Sequence, residues 1–106
     1  MSDDRTKPAD CRTMAEVRDG VDRLDERIVA LLAERFRYMD AAARIKPHRD
    51  QVRDEWRKAD VIAKVRARAS AVGLDQDIAA ALYETLVETS IAHELRRFDA
   101  IRDASA

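Results

Sequence analysis

The residues best suited to chemistry in this chain are three cations, Arg18, Arg35 and Lys46, which lie in an apolar, helix-forming segment. A guanidinium group can hold a carboxylate through two parallel hydrogen bonds, whereas an ammonium group acts as a compact point charge. Arginine also outnumbers lysine sixteen to four along the chain, a bias that a GC-rich coding sequence would produce by itself. Only cations at particular positions are therefore candidates for binding a planar anion.

Arg35 occupies a charged position in an otherwise apolar pattern. Thr13 and Glu16 have the spacing of a capping box, and an apolar heptad follows them. Its positions are Met14, Val17, Val21, Leu24, Ile28, Leu31, Arg35, Tyr38, Ala42 and Ile45. Because a charge removed from water is costly unless it is paired, we expect Arg35 either to bond a Glu or Asp of a later helix or to line an anion pocket. Periodicity alone leaves both interpretations open.

Helical geometry relates two further cations to Arg35. Lys46 follows eleven residues later, which places it only about 20° away in azimuth, so both face the same side of the helix. Arg18 precedes Arg35 by seventeen residues, or about 25 Å along the axis, which is too far for both to share a small-molecule site within one chain. An antiparallel second chain would bring its own Arg18 close. The alternative for Arg18 and Lys46 is an ordinary surface cation.

A polar pair ends an apolar row near the carboxyl end of the chain. Leu82, Leu86, Ser90 and Glu94 advance four residues at a time along one helix face. Ser90 and Glu94 either line a pocket or fill structural roles, the serine bonding the preceding turn and the glutamate pairing with Arg35 or a neighbouring arginine. His48 and His93 have no catalytic companion by spacing, so we interpret both as surface residues.

Composition and local signals predict an all-α fold with three helices. The chain has two Gly in 106 residues and no alternation of apolar and polar residues that would indicate strands. A long first helix should end where Pro47 disfavours helical geometry in the residue before it. Asp54 can cap a second helix that Gly73 ends, and Asp75 or Asp77 can cap the third.

The length of the first helix predicts self-association. A helix of roughly 33 residues is roughly 50 Å long, whereas a compact chain of about 100 residues has a radius of gyration near 13 Å. An apolar heptad of that length favours pairing, so we expect an intertwined homodimer. We further expect residues 1–106 to form a single domain in which residues 1–12 are flexible.

Several classes of protein are disfavoured by the same composition. Twenty basic against 21 acidic residues give a net charge of -1, without the basic surface of a nucleic-acid-binding protein. Cys11 is the only cysteine, so neither a disulfide framework nor zinc-finger spacing is present. The sequence shows neither a secretory leader nor an apolar membrane segment, and we expect a cytoplasmic protein without a metal ion.

These residues together resemble the all-helical (class II) chorismate mutase family, which includes the isochorismate pyruvate-lyase branch. The segment VRDGVDRLDERIVALLAERFRYMDAAARIK is similar to the family's first helix. Within it, Arg18, Arg35 and Lys46 have the spacing of the family's three cations. Asp54 and Arg57 match the family's Asp-x-x-Arg, and Ser90 and Glu94 match its polar pair on the third helix. The resemblance covers nearly the whole chain.

The resemblance implies a homodimer with two sites, each of which takes Arg18 from the other chain. It implies that Arg18, Arg35 and Arg57 bind the carboxylates of a dicarboxylate substrate, chorismate or isochorismate. Lys46 and Glu94 would bond the ether oxygen whose bond breaks, and Asp54 and Ser90 would complete the substrate-binding set. No cofactor is implied, because a pericyclic rearrangement needs only a held conformer and stabilised charge.

Two departures from the family pattern bear on the substrate and on pH. Many mutases carry Gln where this chain has Glu94, and a carboxyl group donates a hydrogen bond only when protonated, which favours activity at acidic pH. Many also carry Glu where this chain has Lys58. The segment PADCRTMAEVR is similar to the lyase branch, whereas Asp54 and Ser90 are similar to the mutase branch. We expect conversion of chorismate to prephenate, with isochorismate cleavage or a non-catalytic dimerisation module as alternatives.

Overall fold

The computed structural model describes residues 5–105, and within this range the secondary structure is entirely helical. Three α-helices follow one another: α1, Met14–Ile45; α2, Glu55–Val72; and α3, Gln76–Ser105. Two short 3-10 helices, Pro8–Asp10 and Arg49–Gln51, precede α1 and α2. The predicted all-α fold with three helices and a long first helix is confirmed. None of these helices is both long and apolar enough to cross a bilayer.

Local signals place the ends of the helices. Thr13 and Glu16 exchange hydrogen bonds as predicted, since each side chain accepts from the other's backbone N–H at 3.1–3.2 Å. Asp54 caps α2 by accepting from the N–H of Arg57, and Gly73 ends it with a φ of 79°. Of the two candidates for the cap of α3, Asp75 does the capping, since its Oδ1 accepts from the N–H groups of residues 77 and 78.

The chain forms two compact units that divide within α1, the first ending at Phe36 and the second beginning at Arg37. In the first unit, the hydroxyl of Thr6 donates to Glu16 at 3.1 Å, tying the residues before α1 to its first turn. The predicted flexibility of residues 1–12 falls partly on residues 1–4, which lie outside the described residues. It stays a prediction, as does the single domain.

The heptad pattern of the first unit lies at the surface of the single chain. Val21, Ile28 and Leu31 are 49%, 51% and 63% exposed, and Met14, Val17 and Leu24 are also exposed. Isolated apolar residues at a surface are ordinary, but a continuous row along a helix indicates an interaction site.

The second unit packs the end of α1 and α2 against α3. Its core contains Ala43, Val52 and Phe98, with Ile91, Leu95 and Ile101 packed around them. Ion pairs join the segment between α1 and α2 to α3: Arg49 pairs with Asp99 at 2.9 Å, and Arg53 pairs with Glu88 at 2.7 Å. The end of α1 is therefore held against the middle and last turns of α3.

Candidate functional site

Lys46 and Glu94 form the centre of the candidate site. Lys46 directly follows the last residue of α1, and its Nζ donates to Oε2 of Glu94 at 2.8 Å. Glu94 is only 4% exposed, whereas the side chain of Lys46 retains 30% of its accessible surface. The sequence left an arginine as the alternative partner of Glu94, and the structure gives it this ammonium group instead. A buried carboxylate thus fixes a partly exposed cation.

Ser90 lies one turn before Glu94 on α3 and is 3% exposed. Its hydroxyl donates to the carbonyl oxygen of Leu86 at 2.7 Å. The structural interpretation of Ser90, a hydroxyl bonded to the preceding turn, is therefore confirmed. A hydroxyl that donates to the backbone keeps its oxygen as a hydrogen-bond acceptor.

Asp54 and Arg57 lie at the first turn of α2. The carboxylate of Asp54 accepts from the backbone N–H of Arg57 at 3.0 Å, so this pair of residues shapes the start of the helix. The guanidinium of Arg57 is exposed and donates to Asp60 at 2.7 Å. Lys64 and Arg57 together hold the pKa of Asp60 below its usual range. The guanidinium of Arg57 is therefore engaged with a carboxylate of its own helix.

An open cleft of about 600 Å³ brings Lys46 and Asp54 into one surface. Arg53 lines the same cleft, together with Ile45, Pro47, Gln51 and Glu55. Five members of the predicted set belong to the second unit, namely Lys46, Asp54, Arg57, Ser90 and Glu94, and of these Lys46 and Asp54 line the cleft. The cleft therefore carries two cationic side chains, Lys46 and Arg53, and two carboxylates, Asp54 and Glu55.

Arg18 and Arg35 belong to the first unit. Arg18 is exposed on α1, and Arg35 is half-buried on the same helix. Seventeen residues of helix separate them by about 25 Å, so within one chain they cannot hold the same small ligand. The prediction that Arg18 contributes to the site of another chain rests on this separation.

Lys58 is tied to α3. Its Nζ donates to Glu84 at 2.5 Å and to Glu88 at 2.9 Å, and its side chain is 19% exposed. Glu84, and next Glu88, raise the pKa of Lys58. At the position where the resemblance suggests a glutamate that contacts substrate, this chain therefore has a lysine that joins α2 to α3. Glu84 and Glu88 lie one turn apart on one face of α3, and this spacing is the sequence signal that could have indicated their contact with Lys58.

Two further sets of contacts were not predicted from the sequence. Nε2 of His93 lies 2.6 Å from Oδ1 of Asp40, a partner 53 residues away that the spacing of nearby residues did not indicate. Arg102, near the end of α3, donates to the carbonyl oxygens of Ala43 and Lys46 at 2.6 and 2.5 Å. No short-range pattern could have indicated either contact.

Comparisons with known proteins identify the family of the chain. The family model described as chorismate mutase type II matches residues 17–95, which hold all the candidate residues. The chain is also 29% identical over 98 residues to an isochorismate pyruvate lyase from Pseudomonas aeruginosa. That alignment covers 92% of this chain and 97% of the relative. Because the family model spans well over half of the sequence, the chain belongs to the type II chorismate mutase family.

Proposed function

We propose that this protein is a chorismate mutase that rearranges chorismate to prephenate. The observation that carries the proposal is the ammonium group of Lys46, held at 2.8 Å by the buried Glu94 at the edge of an open cleft. In a pericyclic rearrangement, negative charge grows on the ether oxygen as its bond lengthens. A cation fixed before the reaction stabilises that charge without having to reorganise.

Arginines would hold the substrate in the reactive conformer. Arg35 and Arg57 of one chain, with Arg18 of the other, would bind the two carboxylates, because a guanidinium group matches a carboxylate bidentately. Asp54 and Ser90 would bond polar groups of the ring. Holding a flexible molecule in a chair-like geometry removes much of the entropic part of the barrier, so this machinery requires neither a nucleophile nor a cofactor.

A second candidate reaction is cleavage of isochorismate to salicylate and pyruvate. The similarity to the Pseudomonas aeruginosa isochorismate pyruvate lyase over nearly its full length favours this candidate. Lys58 weakens the mutase assignment, because many mutases have a glutamate at this position that helps to place the substrate hydroxyl, whereas Lys58 pairs with Glu84 and Glu88. Both reactions break the same kind of ether bond, so the roles of Lys46 and the arginines carry over.

Each active site would be completed by a second copy of the chain. The exposed apolar row of α1 offers the surface for that copy, and the distance from Arg18 to Arg35 along α1 requires it. Mixing inactive Arg18→Ala with inactive Arg35→Ala protein should restore activity, since a heterodimer contains one intact site. No recovery after demonstrated subunit exchange would place Arg18 outside the site.

The decisive experiment is to incubate purified protein separately with chorismate and with isochorismate and to measure prephenate, salicylate and pyruvate. A mutase yields prephenate from chorismate, and a lyase yields equal amounts of salicylate and pyruvate from isochorismate. Arg96→Ala is the matched control, because Arg96 is an exposed arginine of α3 outside the predicted set. Turnover of neither substrate by a folded dimer would leave a non-catalytic dimerisation module.

A further inference from the structure

We propose that Arg102 is a positioning residue, which fixes the backbone at the end of α1 so that the ammonium group of Lys46 points at the reacting bond. The inference rests on the proposed function, because it assigns to Lys46 the role given above. Arg102 lies beyond residue 95, where the match to the family model ends.

The need for such a residue begins with Pro47. In an α-helix the carbonyl of Ala43 would accept from the N–H of residue 47, and proline has no N–H. Ala43 has no exposed surface, so water cannot supply the missing donor. A buried backbone carbonyl without a donor is costly, and the structure resolves this by bringing a side chain from α3.

Arg102 supplies that donor and a second one. Its Nη1 donates to the carbonyl of Ala43 at 2.6 Å, and its Nη2 donates to the carbonyl of Lys46 at 2.5 Å. The planar fork of a guanidinium group can bridge two carbonyl oxygens in this way, whereas the ammonium group of a lysine lacks the fork. A cation at the carboxyl end of a helix is also favoured by the helix dipole.

The guanidinium group is itself held in place. Its Cζ lies 3.6 Å from the centre of the Phe98 ring, and Phe98 is 7% exposed within the core that contains Ala43. Glu94, Phe98 and Arg102 are spaced four residues apart along one face of α3. This face therefore holds Lys46 twice, by its ammonium group at Glu94 and by its carbonyl at Arg102.

The test compares Arg102→Ala and Arg102→Lys with the control Arg96→Ala in steady-state kinetics. Because a displacement of about 1 Å can cost about 100-fold, we expect Arg102→Ala to lose between about 10- and 100-fold in kcat. KM should change by less than about threefold, since Arg102 contacts the backbone carbonyls of Ala43 and Lys46 and, on this proposal, acts through Lys46 instead of binding the substrate. Arg102→Lys should recover only part of the loss. An unchanged kcat in Arg102→Ala would overturn the proposal.

A double-mutant cycle asks whether Arg102 acts through Lys46. In a Lys46→Ala background there is no ammonium group left to position, so adding Arg102→Ala should cost little further activity. Equal losses from Arg102→Ala with and without Lys46 would mean that Arg102 supports the fold in general, and would refute a positioning role.

A third measurement requires no substrate and separates this inference from the proposed function. The N–H of Lys46 bonds the carbonyl of Ala42 at 2.9 Å in the last turn of α1. If Arg102 fixes this turn, hydrogen exchange at that amide should accelerate at least about tenfold in Arg102→Ala and stay unchanged in Arg96→Ala. Unchanged exchange in Arg102→Ala refutes the role of Arg102, whereas absence of turnover in the parent protein refutes the proposed function.

Discussion

Replacing Lys46 by alanine tests the centre of the candidate site, because it removes one group that has two separable effects. The ammonium group of Lys46 neutralises Glu94, which is 4% exposed, and in the proposed reaction it also stabilises the breaking ether bond. Lys46→Ala should therefore lower both the stability of the protein and its kcat. Adding Glu94→Gln to Lys46→Ala removes the negative charge that the first substitution leaves unpaired, without restoring the cation.

The two magnitudes follow from different features of the pair. Deleting one partner of a fully buried ion pair costs about 3–5 kcal/mol, but the Lys46 side chain is 30% exposed, so we expect a loss of about 1–2 kcal/mol in the free energy of unfolding. Deleting an aimed electrostatic donor costs about 100- to 1000-fold in kcat, or about 3–4 kcal/mol in the barrier.

Denaturant titration and steady-state kinetics measure the two effects at one fixed protein concentration, because the stability of the proposed dimer would depend on concentration. We expect Lys46→Ala with Glu94→Gln to regain most of the lost stability, since the amide needs no counter-ion. Its activity should stay at the level of Lys46→Ala. If activity returned together with stability, Lys46 would be a structural residue only, and the mechanism would be wrong.

Three further predictions concern single substitutions. Glu94→Gln in the parent should lower kcat, because a neutral amide holds the ammonium group of Lys46 more weakly than a carboxylate does, and an unchanged kcat would refute the role of Glu94 in fixing Lys46. Hydrogen bonds from Arg53, and to a lesser extent from Lys58, lower the pKa of Glu88 from 4.5 to about 2. Ionised Glu88 therefore stabilises the folded protein fully above pH 4.5, and this stabilisation is lost as the pH falls toward 2. Acid unfolding of Glu88→Gln should therefore show a shallower pH dependence over that interval, and an unchanged slope would contradict the contact. Gly73→Ala should lower the free energy of unfolding, measured by denaturant titration, by about 1 kcal/mol, because φ is 79° at this position. The added Cβ would meet no atom within 4 Å, so a much larger loss would indicate a steric clash that the structure does not show.

The helix boundaries were predictable because their causes are local. Thr13 and Glu16 are three residues apart, and the capping hydrogen bonds of Asp54 and Gly73 join each of them to a residue one helical turn away. Such signals depend on backbone geometry that every helix end shares. The position of Pro47 likewise predicted the end of α1, because proline restricts the residue before it.

The pairing of side chains was not predictable to the same degree, because it depends on how helices pack. The sequence placed Lys46 and Glu94 on suitable helix faces, but their contact joins residues 48 positions apart. The contact between His93 and Asp40 was not predicted for the same reason, since the two residues are 53 positions apart. The resemblance to a family supplied roles for the site residues, whereas Arg102 lies outside that pattern and emerges only from the contacts at the end of α1.

The contacts of α3 explain how a long flexible side chain can serve as a fixed electrostatic group. A lysine has about 2 kcal/mol of rotamer entropy to lose when its ammonium group is confined. Glu94 confines that group, while Arg102 fixes the backbone from which the side chain starts. Both contacts form when the chain folds, so the entropy is lost during folding and is absent from the barrier of the proposed reaction. An enzyme without nucleophile or cofactor depends on such preorganisation, because position is the only means by which its cations lower the barrier.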